Sequence, residues 1–353
     1  MNNIIIQGAG FTDNFGDVLF YDIFIKESNK YNINVDILKT DEKVLQHLNI
    51  KVNKENVIRK LIKADGIVFV GGGYMGEQPY KEKFKLYKWG FSAIKNILYV
   101  GILGVLFRKK IIVIGVGAGP VTNPITRYII KKICNYSEKT IVRDKESYEF
   151  LKSIMVKEEK LDITADTVLA LHKYYNLKKI NRNNKTITLH LSDSYKNNEK
   201  INFIVKDVEK YLEKYPEYRL KAITDHNGGG QDIAIKDLKE KFQDKINICK
   251  YESPNQLINE LNISDVVITN KLHVGIVSST LGKSVFSIAN HPKTKRFFTQ
   301  IGYGNRCIIS SELKEGDLFN LMDSYNNQKI KINKDTIDKA YKNIEYFRKF
   351  INM

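Results

Sequence analysis

The first half of the chain alternates short aliphatic runs with glycine-bearing segments. Three aliphatic runs are each followed by glycines: IIIQ at residues 4–7, GIVFV at 66–70 and IIVIGV at 111–116. A fourth run, KTIVR, ends at Arg143. Helical patterns follow these runs. A repeated order of buried strand, glycine segment and helix is typical of a doubly wound parallel sheet. Because functional loops follow the carboxyl ends of such strands, we expect all four segments at one edge of the sheet.

The same alternation restarts after a polar, lysine-rich passage, KYYNLKKINRNNK, that begins at residue 173. Five further runs predict strands: KTITLHLS, YRLKAIT, INICKY, DVVITN and KSVFSIA. Helical patterns lie between them, for example at residues 232–242 and 254–261. The two halves therefore resemble each other in pattern, and the second also predicts a parallel sheet.

These patterns predict an α/β protein with two Rossmann-like domains that face each other across a cleft. The first domain is expected at residues 1–170 and the second at residues 185–330, with a linker at residues 171–184. A last amphipathic segment, within residues 331–353, is expected to form a helix that packs back on the first domain. The length of 353 residues fits two such domains.

Composition narrows the class of protein. With 42% hydrophobic and 27% charged residues, the sequence is typical of a soluble globular protein. Its three cysteines are far apart and give neither a disulfide framework nor a zinc-site spacing, which suits a reducing cytoplasm. The N-terminal MNNIIIQGAGF lacks the basic segment and long apolar run of a signal peptide, and we interpret it as a first strand. We therefore expect a cytoplasmic protein.

The formal net charge of +17 comes mainly from scattered lysines. A lysine-rich surface produced by compositional bias is the favoured interpretation. The alternative is attraction to polyanions, namely anionic lipid headgroups or phosphate-bearing substrates. The sequence contains no recognition helix, zinc finger or RNA-binding aromatic motif, so nucleic acid is not expected as a partner.

Residues 89–107, WGFSAIKNILYVGILGVLF, approach the length of a membrane span and precede three basic residues, Arg108, Lys109 and Lys110. Lys95 and internal glycines interrupt this segment, and a strand-like run follows at once. A helix packed within the protein is favoured. The alternatives are a helix that also contacts the anionic inner leaflet beside its basic cluster, and a true span.

The segment DVVITNKLHVGIVSSTLGKSVFSIANHPK combines several features of an anion site. A strand is expected to end at Asn270, and a helix then begins with His273 in its first turn and ends near Gly282. Free backbone N–H groups and the helix dipole favour an anion at this position. Lys271 and Lys293 are expected at the same edge. A lone histidine at a helix start is more often a cap or a packed residue, and this geometry alone names no reaction.

This segment resembles the C-terminal signature of the polysaccharide pyruvyl transferase family, in which Arg-x-His opens the helix and a lysine follows the next strand. Further family motifs are matched in order upstream: Asn14, Phe15, Gly16 and Asp17; Gly71, Gly72 and Gly73; Gly115, Gly117, Gly119 and Pro120; Val142, Arg143, Asp144 and Ser147; and Asp166. Each motif alone is weak, whereas the ordered set is fairly specific and covers most of the chain. The resemblance implies a GT-B-like fold.

The resemblance also implies a reaction, in which pyruvate passes from phosphoenolpyruvate (PEP) as a ketal to a sugar of a cell-surface glycan or its lipid-linked precursor. It implies a donor site at Arg143, Lys271, His273 and Lys293. His273 would serve as general acid, and Lys293 would neutralise the departing phosphate. One departure matters, because Lys271 stands where the family usually has arginine, and lysine lacks the bidentate fork.

The acceptor hydroxyl needs a base, and Asp17 is the first choice and Glu77 the second, both on first-domain segments expected to face the cleft. Asp17 is equally compatible with capping the first helix, and Glu77 with an ordinary loop position. The glycines, including Gly71, Gly72, Gly73 and Gly117, are expected to let the backbone approach a sugar or diphosphate closely. Asn14 belongs to the same acceptor side. The first glycine segment lacks dinucleotide spacing, so a nicotinamide site is not expected.

The six histidines form no recognised metal-ligand spacing, and we expect chemistry without a required metal or cofactor, with PEP as donor substrate. His226, in TDHNGGGQD, is the histidine that would challenge this expectation, and we place it among the cleft residues. Two other function classes stay open. They are a glycosyltransferase that uses a nucleotide sugar and a non-catalytic glycan-binding member of the family.

Overall fold

The computed structural model describes residues 1–10, 13–51, 55–77, 82–177, 185–192, 199–226 and 230–353. Its chain divides into two compact units. Unit 1 contains Met1–Tyr174 together with Lys334–Met353, and unit 2 contains Tyr175–Asn333. The sequence placed these divisions at residues 170 and 330, and residues 178–184 of the expected linker lie outside the described residues.

Unit 1 is built on a six-stranded sheet in which every neighbouring pair is parallel. Its strands are β1 (Asn3–Gln7), β2 (Asn34–Ile37), β3 (Gly66–Met75), β4 (Lys110–Ala118), β5 (Thr140–Val142) and β6 (Leu161–Ile163). They lie in the order β2-β1-β3-β4-β5-β6. The central strands are apolar along their whole length because helices cover both faces of such a sheet. The order reverses between β1 and β3, which makes this pair the topological switch point.

In the part of unit 1 that the structure describes, the α-helices between these strands are α1 (Phe15–Asn29), α2 (Glu42–His47), α3 (Val57–Lys63), α4 (Lys83–Ala93), α5 (Tyr99–Leu106), α6 (Pro124–Tyr136) and α7 (Lys145–Ser153). Side-chain caps begin several of them. Asn14 accepts from the backbone of Gly16 at the start of α1, and Asn123 caps α6 ahead of Pro124. Asparagine as N-cap and proline in the first turn are the expected residues at these positions.

A π-helical segment, Ile94–Leu98, joins α4 to α5 into one long helix. By length and composition, the stretch Lys83–Leu106 is the one helix among the described residues that is long and apolar enough to cross a membrane, and 39% of its most apolar window is buried in the protein. Close contacts hold it in unit 1. A Cβ atom on Gly101 would lie 2.5 Å from Ile133 of α6, and one on Gly104 would lie 2.5 Å from Ile67 of β3.

Unit 2 repeats the architecture with six parallel strands: β7 (Lys185–His190), β8 (Tyr218–Ile223), β9 (Ile246–Cys249), β10 (Val266–Thr269), β11 (Ser284–Ala289) and β12 (Cys307–Ile309). Their order is β12-β11-β10-β7-β8-β9. Its helices are α8 (Glu199–Lys214), α9 (Gly230–Phe242), α10 (Pro254–Asn262), α11 (Leu272–Thr280), α12 (Pro292–Gln300) and α13 (Asp317–Ser324). The chain reverses direction across the sheet between β7 and β10, which form the switch point of this unit.

The C-terminal helix α14 (Lys334–Ile351) packs on unit 1. Its Asn343 is fully buried, where it accepts from the Thr164 hydroxyl at 2.7 Å and donates to the Ala165 carbonyl at 2.8 Å. Arg348 donates to Glu27 of α1 at 2.6 Å. Satisfied buried polar groups of this kind fix the register of the helix on the sheet, because a shift would leave them unpaired.

The glycine triplet Gly71–Gly73 differs from its expected loop placement, since all three residues lie within β3. A Cβ atom at Gly71 would lie 2.2 Å from the ring of Phe20, which packs against the strand from α1. Gly72 has a φ of +108° and sits where the pairing of β3 with β4 shifts register. The first two glycines of the triplet are therefore explained by helix packing and by an irregularity in the strand.

Candidate active site

The carboxyl ends of β7 and β10 lie side by side at the switch point of unit 2. His190, the last residue of β7, pairs in register with Thr269, the last residue of β10. Asn270 joins the two following segments, because its amide accepts from the backbone N–H of Ser192 at 3.0 Å and donates to the Ser192 hydroxyl at 2.9 Å. In open α/β sheets, ligands bind outside the carboxyl ends of strands at such a point.

A chain of hydrogen bonds runs from the start of α11 into the interior of unit 2. The Lys271 N–H donates to the Thr269 hydroxyl at 3.0 Å, and that hydroxyl lies 3.1 Å from Nδ1 of His190. Nε2 of His190 is 3.3 Å from Oδ1 of Asp225. An ionised carboxylate only accepts, so Nε2 of His190 donates to Asp225, while Nδ1 lies within hydrogen-bond distance of the Thr269 hydroxyl.

Asp225 lies just after β8 and is almost completely buried. Its Oδ1 also accepts from Nδ1 of His226 at 3.0 Å and from the Gln231 amide at 2.6 Å. Burial opposes ionisation of this carboxyl, but the charge of Lys271 and the hydrogen bonds from His190 and His226 outweigh burial and hold its pKa well below the ordinary value. A fixed negative charge therefore lies beneath the cationic start of α11.

Helix α11 begins without a side-chain cap. Lys271 is its N-cap residue and His273 its second helical residue, as the pattern predicted. Uncapped N–H groups of a first turn, together with the helix dipole, attract an anion. Helix α12 follows the adjacent strand β11 and places Lys293 in its own first turn, where His291 already caps the helix by accepting from the Lys293 N–H at 3.2 Å. Thus the two predicted lysines and His273 share one edge of unit 2.

The corresponding edge of unit 1 carries the predicted acceptor residues. Asn14, not Asp17, caps α1. Asp17 lies in the first turn of α1, and its Oδ1 would be 3.5 Å from a Cβ atom on Gly72 of the neighbouring strand. Asn14, Asp17 and Gly72 therefore come together at the switch point between β1 and β3. A carboxylate at this position has the chemistry of a hydrogen-bond acceptor or a base.

The first glycine segment has a structural explanation within unit 1. The Gly8 N–H donates to the buried Tyr21 hydroxyl at 2.7 Å, and a Cβ atom on Gly10 would lie 2.8 Å from the same oxygen. The segment closes over Tyr21 and leaves no room for larger side chains. This close approach accounts for the glycines without a bound phosphate.

Glu77 is buried and holds the segment that follows β4. Its carboxylate accepts from the Thr122 hydroxyl at 2.8 Å and from the backbone N–H groups of Thr122 and Asn123. Because these donors occupy its carboxylate oxygens, the geometry favours a loop-positioning role for Glu77. Between the two candidate bases, the geometry favours Asp17.

Arg143 is buried in unit 1 and paired with acidic groups. Nη1 donates to Asp166 at 3.1 Å, and Nε lies 3.8 Å from Asp144. Gly117 makes room for this guanidinium, because a Cβ atom there would lie 2.8 Å from Nη2. These contacts explain why the matched motifs carry glycine at one position and arginine at another. A role for Arg143 in donor binding stays a prediction.

Sequence reasoning missed His190, Asp225 and Gln231. Of the residues that surround Asp225, it identified His226 and Lys271. A signal was present, since His190 lies near the end of the strand pattern KTITLHLS and Asp225 follows the next strand of the chain, so both were due at the ligand-facing edge. Among the described residues, no group of three or more His, Cys, Asp or Glu is arranged to hold a metal ion.

Comparison with solved structures identifies the fold class of this protein. The UDP-GlcNAc 2-epimerase of Methanocaldococcus jannaschii superposes with a TM-score of 0.67 at 14% identity, over 99% of this chain and 100% of that one. The Neisseria meningitidis UDP-GlcNAc 2-epimerase bound to UDP-GlcNAc gives a TM-score of 0.64 at 13% identity, over 99% and 100%. These likenesses show the fold alone, a GT-B-like architecture of two α/β domains, and confirm the predicted fold class.

The sequence profile of the polysaccharide pyruvyl transferase family matches residues 14–292. This chain therefore belongs to the polysaccharide pyruvyl transferase family, and the resemblance drawn from the motifs is confirmed. The family is one of transferases in polysaccharide biosynthesis. No curated protein sequence matches the chain significantly.

Proposed function

We propose that this protein transfers the pyruvyl group of PEP to a sugar as a cyclic ketal and releases phosphate, without a required metal or cofactor. The acceptor would be a sugar of a cell-surface glycan or its lipid-linked precursor, modified in the cytoplasm. One observation carries the proposal, namely the uncapped start of α11 at the switch point of unit 2, flanked by Lys271 and bearing His273. A donor with both a phosphate and a carboxylate needs cations and backbone N–H groups of this kind.

The proposed chemistry has two bond-forming steps. In the first, His273 protonates the methylene carbon of PEP while a sugar hydroxyl adds to C2 and loses its proton to Asp17. In the second, another hydroxyl of the sugar attacks C2, the bond from C2 to the phosphate oxygen breaks, and the hydroxyl proton leaves with phosphate. Lys293 balances the charge that develops on phosphate. The sugar gains pyruvate less one water.

In this proposal Asp225 and His190 act as positioning residues. Asp225 holds His190, which is linked to the backbone of Lys271 through Thr269. The buried carboxylate also compensates part of the positive charge at the start of α11.

Incubation of the purified protein with PEP and a panel of sugar acceptors tests the proposal, with mass spectrometry of the acceptor and release of phosphate as readouts. His273→Ala and Lys293→Ala should each lower turnover by about 10²-fold or more. Lys236→Ala, an exposed lysine of α9, is the matched control and should retain activity.

Two outcomes would contradict the proposal. Stabilisation of the folded protein by UDP or GDP but not by PEP would favour a nucleotide-sugar glycosyltransferase. Unchanged biological function of the His273→Ala and Lys293→Ala variants would favour a non-catalytic, glycan-binding protein.

A further inference from the structure

Helix α4 exposes a row of aromatic side chains. Phe84, Tyr87 and Phe91 are 78%, 40% and 52% exposed. Their spacing of three and then four residues places them on one face of the helix. Exposed aromatic side chains that are scattered singly need no explanation. Three on one helix face form an apolar patch, and such patches mark sites that bind a protein, a ligand or a membrane.

The other side of this helix is held by unit 1. A Cβ atom on Gly90 of α4 would lie 2.7 Å from the Thr126 hydroxyl of α6, so these two helices touch closely. Helix α6 itself exposes Ile125 and Tyr128 to 53% and 58%. The aromatic row is thus displayed by a helix that is fixed in place and has further apolar exposure on its neighbour.

The charge of this region is mainly positive, although Glu82, the N-cap residue of α4, pairs with Lys85 at 2.9 Å. From Lys83 to Ser137 the sequence contains no aspartate or glutamate. It contains ten basic residues over the same stretch: Lys83, Lys85, Lys88, Lys95, Arg108, Lys109, Lys110, Arg127, Lys131 and Lys132. Lys88 of α4 lies one turn after Phe84 on the same side of the helix, and Lys95, in the π-helical segment that continues α4, follows Phe91 by four residues; both lysines are exposed.

We propose that the face formed by Phe84, Tyr87, Phe91, Lys88 and Lys95 docks on a bilayer that carries anionic lipid headgroups. Aromatic side chains partition to the boundary between headgroups and acyl chains, and lysines beside them contact the anionic phosphates. Protein interfaces are enriched in aromatic residues but depleted in lysine, so the combination favours a lipid surface over a protein partner.

Docking keeps the fold intact, whereas a transmembrane span does not. A span formed by Lys83–Leu106 would withdraw Gly90, Gly101 and Gly104 from their close contacts with α6 and the sheet. The docking face requires no such change, because its side chains already point away from unit 1. This is the physical reason for assigning the helix to the membrane surface.

The consequence for the acceptor rests on the proposed function. Helix α4 follows the carboxyl end of β3, the edge that also carries Asn14, Asp17 and Gly72. The start of α4 and the proposed acceptor residues therefore follow the same edge of the unit 1 sheet. The acceptor class that fits this placement is a sugar carried on a membrane lipid.

Sedimentation of the full chain with phosphatidylcholine vesicles, with and without added phosphatidylglycerol, tests the docking face. Wild type should bind the anionic vesicles and lose this binding at high salt. Phe84→Ser/Phe91→Ser should weaken binding at least about tenfold. Lys88→Gln/Lys95→Gln should weaken it about tenfold at low salt.

Tyr31→Ser/Ile163→Ser removes exposed apolar side chains elsewhere on unit 1 and is the matched control, with wild-type binding expected. His273→Ala should also bind vesicles like wild type, so that loss of the proposed reaction and loss of docking are separate results. Binding that no α4 variant alters would overturn the proposal. So would self-association that Phe84→Ser/Phe91→Ser abolishes in a protein that binds no vesicles, because the face would then join two copies of the chain.

Discussion

Nε2 of His190, the last residue of β7, lies 3.3 Å from Oδ1 of Asp225, which follows the neighbouring strand β8. Both are buried, and Asp225 is kept ionised by its surroundings rather than by solvent. A buried carboxylate stays ionised only when charges and donors compensate for the lost hydration. The pair therefore links the stability of unit 2 to the electrostatics of the proposed donor site.

Replacement of this carboxylate should destabilise the protein. Asp225→Asn removes the negative charge that compensates Lys271 and accepts from His190. Because these groups then lose a buried partner, we expect the free energy of unfolding to fall by about 2–3 kcal/mol at neutral pH. The matched control is Asp232→Asn, whose carboxylate is exposed on α9 and should change stability by less than about 0.5 kcal/mol. Urea unfolding measures both.

The same pair sets a pH dependence. The pKa of Asp225 in the folded protein is below its ordinary value of 3.8, so its contribution to stability is complete above that pH and is lost as the pH falls towards the folded value. The difference between wild type and Asp225→Asn should therefore be constant above about pH 5 and shrink below about pH 4. A difference that grows on acidification would contradict this assignment.

Lys271 occupies the position of the family arginine, which gives a sharp test of the donor site. Lys271→Arg supplies a bidentate fork and should raise the affinity for PEP by up to about tenfold. Lys271→Met should lower it by at least about tenfold, since the cation is removed. Lys250→Arg, at an exposed position, is the control for both. Isothermal titration calorimetry provides the measurement, and equal PEP affinity in all four proteins would place the donor elsewhere.

Gly117→Ala tests the packing of Arg143. A methyl group at this position would lie 2.8 Å from Nη2 and push the guanidinium away from Asp166. We expect a loss of about 1–3 kcal/mol, because overpacking forces neighbouring groups from their positions. Gly275→Ala is the comparison, since its nearest neighbour is the ring of Phe298 at 3.3 Å, which needs to shift by only a few tenths of an ångström, and alanine favours the helix. Thermal unfolding of the two variants should separate them clearly.

Glu27 tests the docking of the C-terminal helix. Its buried carboxylate accepts from Arg348, Tyr174 and Lys30, and burial, which alone would raise its pKa, is outweighed by these donors, so the pKa is lowered. Glu27→Gln should cost about 2 kcal/mol at neutral pH, and the cost should fall as the pH drops below about 4.5. Glu345→Gln on the exposed face of α14 is the control. Equal melting temperatures for the two variants would contradict a structural role for Glu27.

The local patterns of the sequence were sufficient for most elements of the fold. The runs IIIQ, GIVFV and IIVIGV became β1, β3 and β4, and the helix that carries His273 begins where the pattern placed it. A parallel strand that is buried on both faces must be apolar along its length, so it can be recognised in the sequence as a continuous hydrophobic run. The family could likewise be recognised from the order of its motifs in the sequence, without the structure.

Contacts between distant segments needed the tertiary structure. His190 and Thr269 are 79 residues apart in sequence and meet because β7 and β10 are neighbours. The Gly71–Gly73 triplet lies within β3, and the ring of Phe20 occupies the space that a side chain at position 71 would need. Apolar periodicity determines that a residue is buried, but the packing of the whole sheet decides which partner it meets. The sequence alone thus determined the family and indicated the edge at which the site is proposed, and only the tertiary structure revealed the buried Asp225 at that edge.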